Sequence, residues 1–149
     1  MDELATAITE LPPARVFEAA DLLNGTFDVP VPADATREAE AFVATNQLDD
    51  VADLARLMLL TAAGETGTRE LVREAVDGSG SKQFVFGGAE LIPIIASAIT
   101  FIRVKRVRKW SYKYNKNRDV TGVQLDESWQ LNLSPKLAGV LKALVPDDA

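Results

Sequence analysis

A run of twelve uncharged residues, Leu91 to Ile102, constrains the fold more than any other feature of this chain. Such a run must be buried in a protein core or in lipid, because apolar surface is unfavourable in water. A helix that crosses a bilayer needs about twenty apolar residues. Extension back to Phe84 reaches that length only by including two glycines and Glu90, and a carboxylate is unfavourable in lipid. We therefore predict a core helix that begins near Ala89, with a membrane span over residues 84–102 as the alternative.

The next sixteen residues, Arg103 to Arg118, contain eight Lys or Arg and no acid, in a chain whose net charge is −6. Bases interleaved with aromatic rings are typical of proteins that bind single-stranded nucleic acid, which gives one interpretation. However, Trp110, Tyr112 and Tyr114 share one parity, so a β-strand would place all three rings on its core face. The pI near 4.7 also disfavours long-range attraction to phosphate. We therefore predict an amphipathic strand with a solvated basic face.

A second segment, Thr121 to Leu133, predicts one partner strand, because apolar and polar side chains take opposite parities along it. A turn at residues 116–119 would pair the two segments so that the numbers of paired residues sum to 235. The apolar pairs are Trp110–Leu125, Tyr112–Val123 and Tyr114–Thr121, and the charged pairs are Lys109–Asp126 and Arg108–Glu127. Such cross-strand pairs stabilise a sheet. The pattern predicts a β-hairpin between about Val104 and Leu133.

The residues before this region predict a bundle of short helices, because apolar side chains recur there at intervals of three and four. Proline, Asn-Gly and glycine mark the helix ends. The predicted helices cover residues 4–11, 13–24, 36–46, a segment capped by Asp49 or Asp50 that ends at Gly64, and residues 68–76. A last helix begins at Ser134-Pro135, where serine caps and proline takes the first position, and it ends before Pro146.

The fold class that follows is α+β: a bundle of short helices, then an apolar helix, a β-hairpin that forms a small antiparallel sheet, and a C-terminal helix. Residues 1–82 contain 16 acids and 6 bases, whereas residues 83–149 contain 6 acids and 10 bases. The sign changes near the sequence DGSGS, which is typical of a flexible linker. We predict an acidic helical lobe over residues 1–78, a linker over 79–82 and a mixed lobe over 83–149.

The chain contains neither cysteine nor histidine. Disulfides, the usual structural zinc sites, thiol nucleophiles and Ser-His-Asp triads each need one of these residues, so their chemistry is excluded. Without imidazole, acid–base catalysis would need a carboxylate or a lysine with a shifted pKa. We therefore expect a protein that is not an enzyme and that needs no cofactor. The first residues carry acids where a secretory signal carries positive charge, which predicts a cytoplasmic location.

Three features could indicate a ligand site, and each also has a structural interpretation. The clusters Asp49-Asp50-Asp53 and Glu38-Glu40 offer oxygen ligands, yet adjacent helix residues do not face each other, and acids in a first turn are favoured by the helix dipole. Glu90 is an acid in an apolar context, which a position at a helix N-terminus explains. Gly87-Gly88 lacks the spacing of a phosphate-binding loop. We predict no metal or cofactor site.

The leading hypothesis for function is a non-enzymatic, cytoplasmic protein-interaction or adaptor module of bacterial type, which acts through its oppositely charged lobes. Its partner would be another protein or a second copy of the chain. The predicted partner-binding residues are bases of the hairpin: Arg106, Arg108, Lys113, Lys116 and Arg118. A single-span membrane protein with a basic cytoplasmic flank is the alternative. Nucleic-acid binding through residues 103–118 is the third hypothesis.

Overall fold

A computed structural model of the protein describes residues 3–26, 30–79, 88–105, 111–125 and 129–144. Within these ranges the chain forms seven helices and a three-stranded antiparallel sheet, which confirms the predicted α+β class. The helices are α1 Glu3–Glu10, α2 Pro13–Thr26, α3 Ala33–Thr45, α4 Leu48–Ala63, α5 Arg69–Gly78, α6 Gly88–Lys105 and α7 Pro135–Leu144. The strands are β1 Ser111–Tyr114, β2 Val120–Leu125 and β3 Trp129–Asn132.

The helical part differs from the sequence prediction mainly in where helices begin. α3 begins earlier than predicted, because Pro32 takes an extended N-cap conformation that proline adopts without strain. α4 has Gln47 as its N-cap, so the prediction that Asp49 or Asp50 caps this helix is wrong. Both acids instead lie in the first turn, where the free N–H groups and the helix dipole attract negative charge.

α6 is the predicted apolar helix, and it packs against α2, α3 and α4. Eight of its apolar residues are buried: Leu91, Ile94, Ile95, Ala96, Ala98, Ile99, Phe101 and Ile102. A helix that is apolar on most of its circumference needs neighbours on several sides, and the bundle supplies them. None of the helices in the described part of the chain combines the length and hydropathy needed to cross a bilayer.

One hydrophobic core contains residues from both sides of the DGSGS segment. Leu57 and Leu60 of α4 are fully buried in the same cluster as Ile95 and Ile99 of α6 and Leu137 of α7. Burial of each such side chain stabilises the fold by about 1.5–3 kcal/mol. The division into two lobes therefore remains a prediction from charge and sequence, whereas the described residues of both parts share one core.

Ser79, the first residue of the predicted linker, is part of the folded bundle. Its hydroxyl donates to the Val76 carbonyl at 2.6 Å. Arg15 of α2 donates from Nε to the Ser79 hydroxyl and from Nη2 to the Ser79 carbonyl, both at 3.2 Å. These contacts tie the end of α5 to the start of α2. The other three residues of the predicted linker, 80–82, lie outside the described residues.

The register predicted for the hairpin is confirmed over three residue pairs: Ser111–Gln124, Tyr112–Val123 and Lys113–Gly122. Tyr114 then pairs with Val120, so its predicted pairing with Thr121 is wrong. An irregularity between Lys113 and Tyr114 shifts the register by one residue beside the turn, as a β-bulge does. The predicted pairs Trp110–Leu125, Lys109–Asp126 and Arg108–Glu127 each include a residue outside the described ranges.

The prediction of a single strand over Thr121 to Leu133 is wrong, because this segment folds back on itself as β2 and β3. Val123 pairs with Leu131, and both residues are odd-numbered, so both point to the core. The alternation therefore continues in phase through the reversal, and a period of two cannot distinguish one long strand from two short ones. Its length was the available signal, because strands usually contain 3–10 residues.

Helix α7 packs on β2 and closes the core over the sheet. Ser134 caps it as predicted, since the Leu137 amide donates to the Ser134 hydroxyl oxygen at 3.1 Å. The same hydroxyl donates to Asp50 of α4 at 2.9 Å, which links the start of α7 to the helical bundle. From the sheet, the buried Tyr112 hydroxyl donates to the Leu141 carbonyl at 3.3 Å. α7 is therefore joined to the helical bundle at its start and to the sheet near its end.

Candidate partner-binding site

Three of the five predicted partner-binding bases lie in the described residues, close together in the hairpin. Lys113 is in β1, and Lys116 and Arg118 are in the turn that leads to β2. The two turn residues are exposed, and Lys113 is partly exposed. Arg106 and Arg108 lie outside the described residues. We call Lys113, Lys116 and Arg118 the basic turn surface.

The turn that carries these bases is held by the side chain and backbone of Asn115. The Asn115 side-chain oxygen accepts from the amides of Asn117 at 2.9 Å and Asp119 at 3.0 Å. Its carbonyl accepts from the Arg118 amide at 3.0 Å, and its amide donates to the Asp119 carbonyl at 3.0 Å. Asparagine is suited to this role because its short side chain reaches the backbone two residues ahead. The turn is therefore ordered by four hydrogen bonds, although its basic side chains are in water.

Arg118 has a φ of 62°, the single positive value for a non-glycine residue in the described part of the chain. In this left-handed region the Cβ atom lies close to the backbone, which costs about 1–2 kcal/mol for most residues and nothing for glycine. The hairpin therefore carries a guanidinium at the one turn position where glycine would be more stable. Such strain is common at binding sites, where the side chain serves a purpose other than stability.

The outer face of the sheet, opposite the core, is polar. Lys113 donates from Nζ to the Gln130 side-chain oxygen at 2.8 Å, across the sheet from β1 to β3. Ser111, Gln124 and Gln130 occupy paired positions on the same face. The prediction of a solvated basic face is therefore confirmed for Lys113. Tyr112, on the other face, is only 7% exposed.

No acid within the described residues forms an ion pair with any member of the basic turn surface. Arg103, the first base of the same stretch, differs from them. It donates from Nη1 and Nη2 to the two carboxylate oxygens of Glu38 at 2.7 and 2.5 Å, and from Nε to the Leu144 carbonyl at 3.0 Å. The hydrogen bond from Arg103 lowers the pKa of Glu38, and the same bond raises the pKa of Arg103. Among the described side chains, the basic stretch therefore contains one structural base, Arg103, and the bases of the turn surface, which have no acidic partner.

Lys142 of α7 is a further base beside the turn, and it is not among the bases predicted from the sequence. Its Nζ donates to the Tyr114 hydroxyl at 3.1 Å and lies 5.3 Å from the ring centroid of Tyr112 and 5.4 Å from that of Tyr114. The two electron-rich rings attract the ammonium and restrict its position. No local pattern could have indicated this, because Lys142 and Tyr114 are 28 residues apart.

An open groove of about 580 Å³ lies between the turn and α7. Its apolar lining includes Val120, Leu133, Pro135 and Ala138, and two bases, Arg118 and Lys142, border it. The sequence does not reveal this groove, because its two sides come from segments that are distant in the chain. The register of the hairpin and the face of α7 would both have been needed to find it.

Three of the acids that could indicate a ligand site form contacts within the fold instead, and two of these contacts join different elements. Asp53 accepts from Arg56 at 2.6 Å, and burial raises the pKa of Asp53 despite this bond. Asp50 accepts from Ser134, and Glu38 from Arg103. Glu90 lies exposed in the first turn of α6. In the ranges that the structure describes, no three acids come close enough to hold a metal ion.

The arrangement at the turn can form ionic and hydrogen bonds with carboxylate or phosphate oxygens, and the groove beside it can bury apolar groups. Comparison of the chain with models of protein families, with curated proteins and with solved structures gives no match.

Proposed function

We propose that the protein is a non-enzymatic interaction or adaptor module of the cytoplasm, which binds an acidic surface of another protein through the basic turn surface. The observation that carries this proposal is the exposure of Lys116 and Arg118 on an ordered turn, without an acidic partner among the described residues. A preordered turn loses little conformational entropy when a partner binds, which favours recognition.

The contrast with Arg103 supports this proposal. Arg103, which joins α6 to α3, is matched by a bidentate carboxylate from Glu38. The turn bases have no such carboxylate, and like charges near one another are unfavourable in the unbound protein. An acidic partner would relieve that repulsion. Charge complementarity of this kind accelerates association and selects partners.

The burial of Tyr112 favours a protein partner over nucleic acid. A protein that binds single strands stacks bases on exposed aromatic rings. Tyr112 is 7% exposed and packs in the core, whereas Tyr114 is 46% exposed but contacts Lys142. An array of open rings is therefore missing from the described part of the basic stretch.

Charge reversal at the turn tests the proposal. Lys116→Glu/Arg118→Glu should capture far less of any acidic binding protein from a cell extract than the native chain does, with an unchanged circular dichroism spectrum. Arg37→Glu/Arg73→Glu is the matched control, because it makes the same change in net charge at exposed helix positions and should capture the partner normally. Equal capture by the turn variant and the native chain would refute the proposal. Retention of an oligonucleotide by the native chain but not by the turn variant would support nucleic-acid binding instead.

A further inference from the structure

We propose that the groove between the turn and α7 binds an extended, acidic segment of a different protein and buries one aliphatic side chain of that segment. This inference rests on the proposed function, because it specifies the chemistry of the partner at the same part of the molecule. Val120, Leu133 and Ala138 form an apolar floor to the groove. Contact with an aliphatic side chain there would remove apolar surface from water on both molecules.

Gly139 lines the groove on the α7 side and places no side chain in it. It is exposed in the middle of α7, and a Cβ atom added to it would meet no other atom within 4 Å. Glycine at such a position costs about 1 kcal/mol of helix stability relative to alanine. The packing of the described residues does not require glycine at this position. We infer that the absence of a side chain leaves space for the backbone of a bound chain.

The charge of the groove favours an acidic segment. Arg118 and Lys142 border it, against one acid, Asp119. Lys142 is held near the rings of Tyr112 and Tyr114. Its side chain therefore loses less conformational entropy when a ligand binds than a freely moving lysine would. Carboxylates that flank an aliphatic side chain would lie near these two bases.

The size of the groove favours an extended segment over a helix. Its volume of about 580 Å³ is in the range of small-ligand sites, roughly 300–1,000 Å³. A helix with its side chains is about 10–12 Å across, whereas an extended chain is much thinner. Between residues 3 and 79, the described acids other than Glu65 lie on helices. A second copy of the helical part is therefore a poor occupant, and we assign the groove to a different protein.

A nuclear magnetic resonance titration of the full chain tests this assignment. The probe is the acetylated and amidated peptide Asp-Glu-Leu-Glu-Asp. We expect saturable amide shifts at Val120, Ala138 and Gly139, and weaker binding at higher salt because the charges are exposed. Replacement of the probe leucine by serine should weaken binding, and replacement of its four acids by lysine should abolish it. A probe that causes no saturable shift, or shifts confined to other residues, overturns the inference.

Gly139→Leu provides a sharp variant, because the new side chain fills the groove while it improves helix propensity. We expect it to weaken binding of the probe at least about tenfold. Ala143→Leu is the matched control, since position 143 is exposed on α7 and does not line the groove, and its binding should stay within about twofold of the native chain. If Gly139→Leu does not fold, Gly139→Met replaces it, because its flexible side chain also occupies the groove. Native-like affinity in the folded variant overturns the inference.

The outcomes separate this inference from the function on which it rests. Probe shifts at Lys113 and Gln124, with native-like affinity in Gly139→Leu, would refute the groove and leave the basic turn surface as the binding site. Undiminished capture of the partner by Lys116→Glu/Arg118→Glu would refute the proposed function itself. Tighter binding of a peptide with the chain's own last five residues, Val-Pro-Asp-Asp-Ala, would overturn the assignment to a different protein and indicate a second copy.

Discussion

Arg103 of α6 and Glu38 of α3 form a bidentate ion pair, in which Nη1 and Nη2 of the guanidinium lie 2.7 and 2.5 Å from the two carboxylate oxygens. The pair joins the acidic part of the chain to the first base of the basic stretch. Arg103 also donates to the Leu144 carbonyl at the end of α7, so one side chain holds three helices. The acidic and basic parts of the chain therefore form an intramolecular ion pair at this point.

Replacement of Arg103 by methionine should destabilise the fold while keeping most of its apolar packing. The variant loses the ion pair and the bond to Leu144, and we expect a loss of about 1 kcal/mol because the pair is partly exposed to solvent. For a chain of this size the melting temperature should fall by about 2–4 °C. Arg37→Met, which breaks the more exposed pair with Asp34, should change the melting temperature much less. Equal effects of the two variants would contradict a structural role for Arg103.

The contribution of Glu38 should depend on pH. Its pKa in the folded protein lies below the ordinary value of 4.5, so folding favours the ionised form. The resulting stability is present above pH 4.5 and is lost as the pH falls through the lower pKa of the folded state. Urea unfolding of Glu38→Gln and of the native chain should therefore differ most near neutral pH and converge in acid. The exposed Glu40→Gln is the control. A difference that persists or grows in acid would contradict this account.

Arg118→Gly should separate stability from binding. Glycine removes the strain of the positive φ, so we expect the free energy of unfolding to rise by about 1 kcal/mol in chemical denaturation. The same variant lacks the guanidinium and should bind the acidic probe more weakly. Arg118→Ala is the matched control, because it loses the charge but keeps the strain, and it should weaken binding without an increase in stability. A stabilised Arg118→Gly with undiminished binding would show that Arg118 takes no part in recognition.

The substitutions Gly122→Ala and Gly139→Ala should change the stability of the protein in opposite directions. At Gly122 the added Cβ would lie 2.6 Å from the Leu131 carbonyl oxygen, so β2 and β3 would have to separate, at a cost of about 1–3 kcal/mol. At Gly139 the Cβ would meet nothing, and the helix should become more stable by about 1 kcal/mol. Thermal unfolding of the two single variants measures both effects. Stability changes of the same sign would contradict the described packing of the sheet or of α7.

The elements that the sequence predicted well are those whose signal is local. The uncharged run from Leu91 to Ile102 indicated a core helix, because so long an apolar segment must be buried. The parity of Tyr112 and Val123 gave the correct register for the start of the hairpin. The Ser134-Pro135 pair located the start of α7. Each of these signals depends on residues that are neighbours in the chain or across one turn.

The features that the sequence could not predict depend on contacts between distant segments. The pairing of Arg103 with Glu38 spans 65 residues, and the helical bundle offers other exposed acids that a sequence cannot rank. The groove needs both the turn and α7, and Lys142 becomes relevant only when that helix lies beside Tyr114. The reversal between β2 and β3 was missed for a different reason, because alternation continues in phase through it.

The most direct test of the central claim is the affinity of the acidic probe for Lys116→Glu/Arg118→Glu, measured by the same titration at low salt. Exposed bases without an internal acid should bind the probe, so reversal of their charge should abolish the saturable shifts that the probe causes in the native chain. Arg37→Glu/Arg73→Glu, with the same net charge, should bind the probe as the native chain does. Native-like affinity in the turn variant, or an equal loss in both variants, would contradict a specific binding role for the turn.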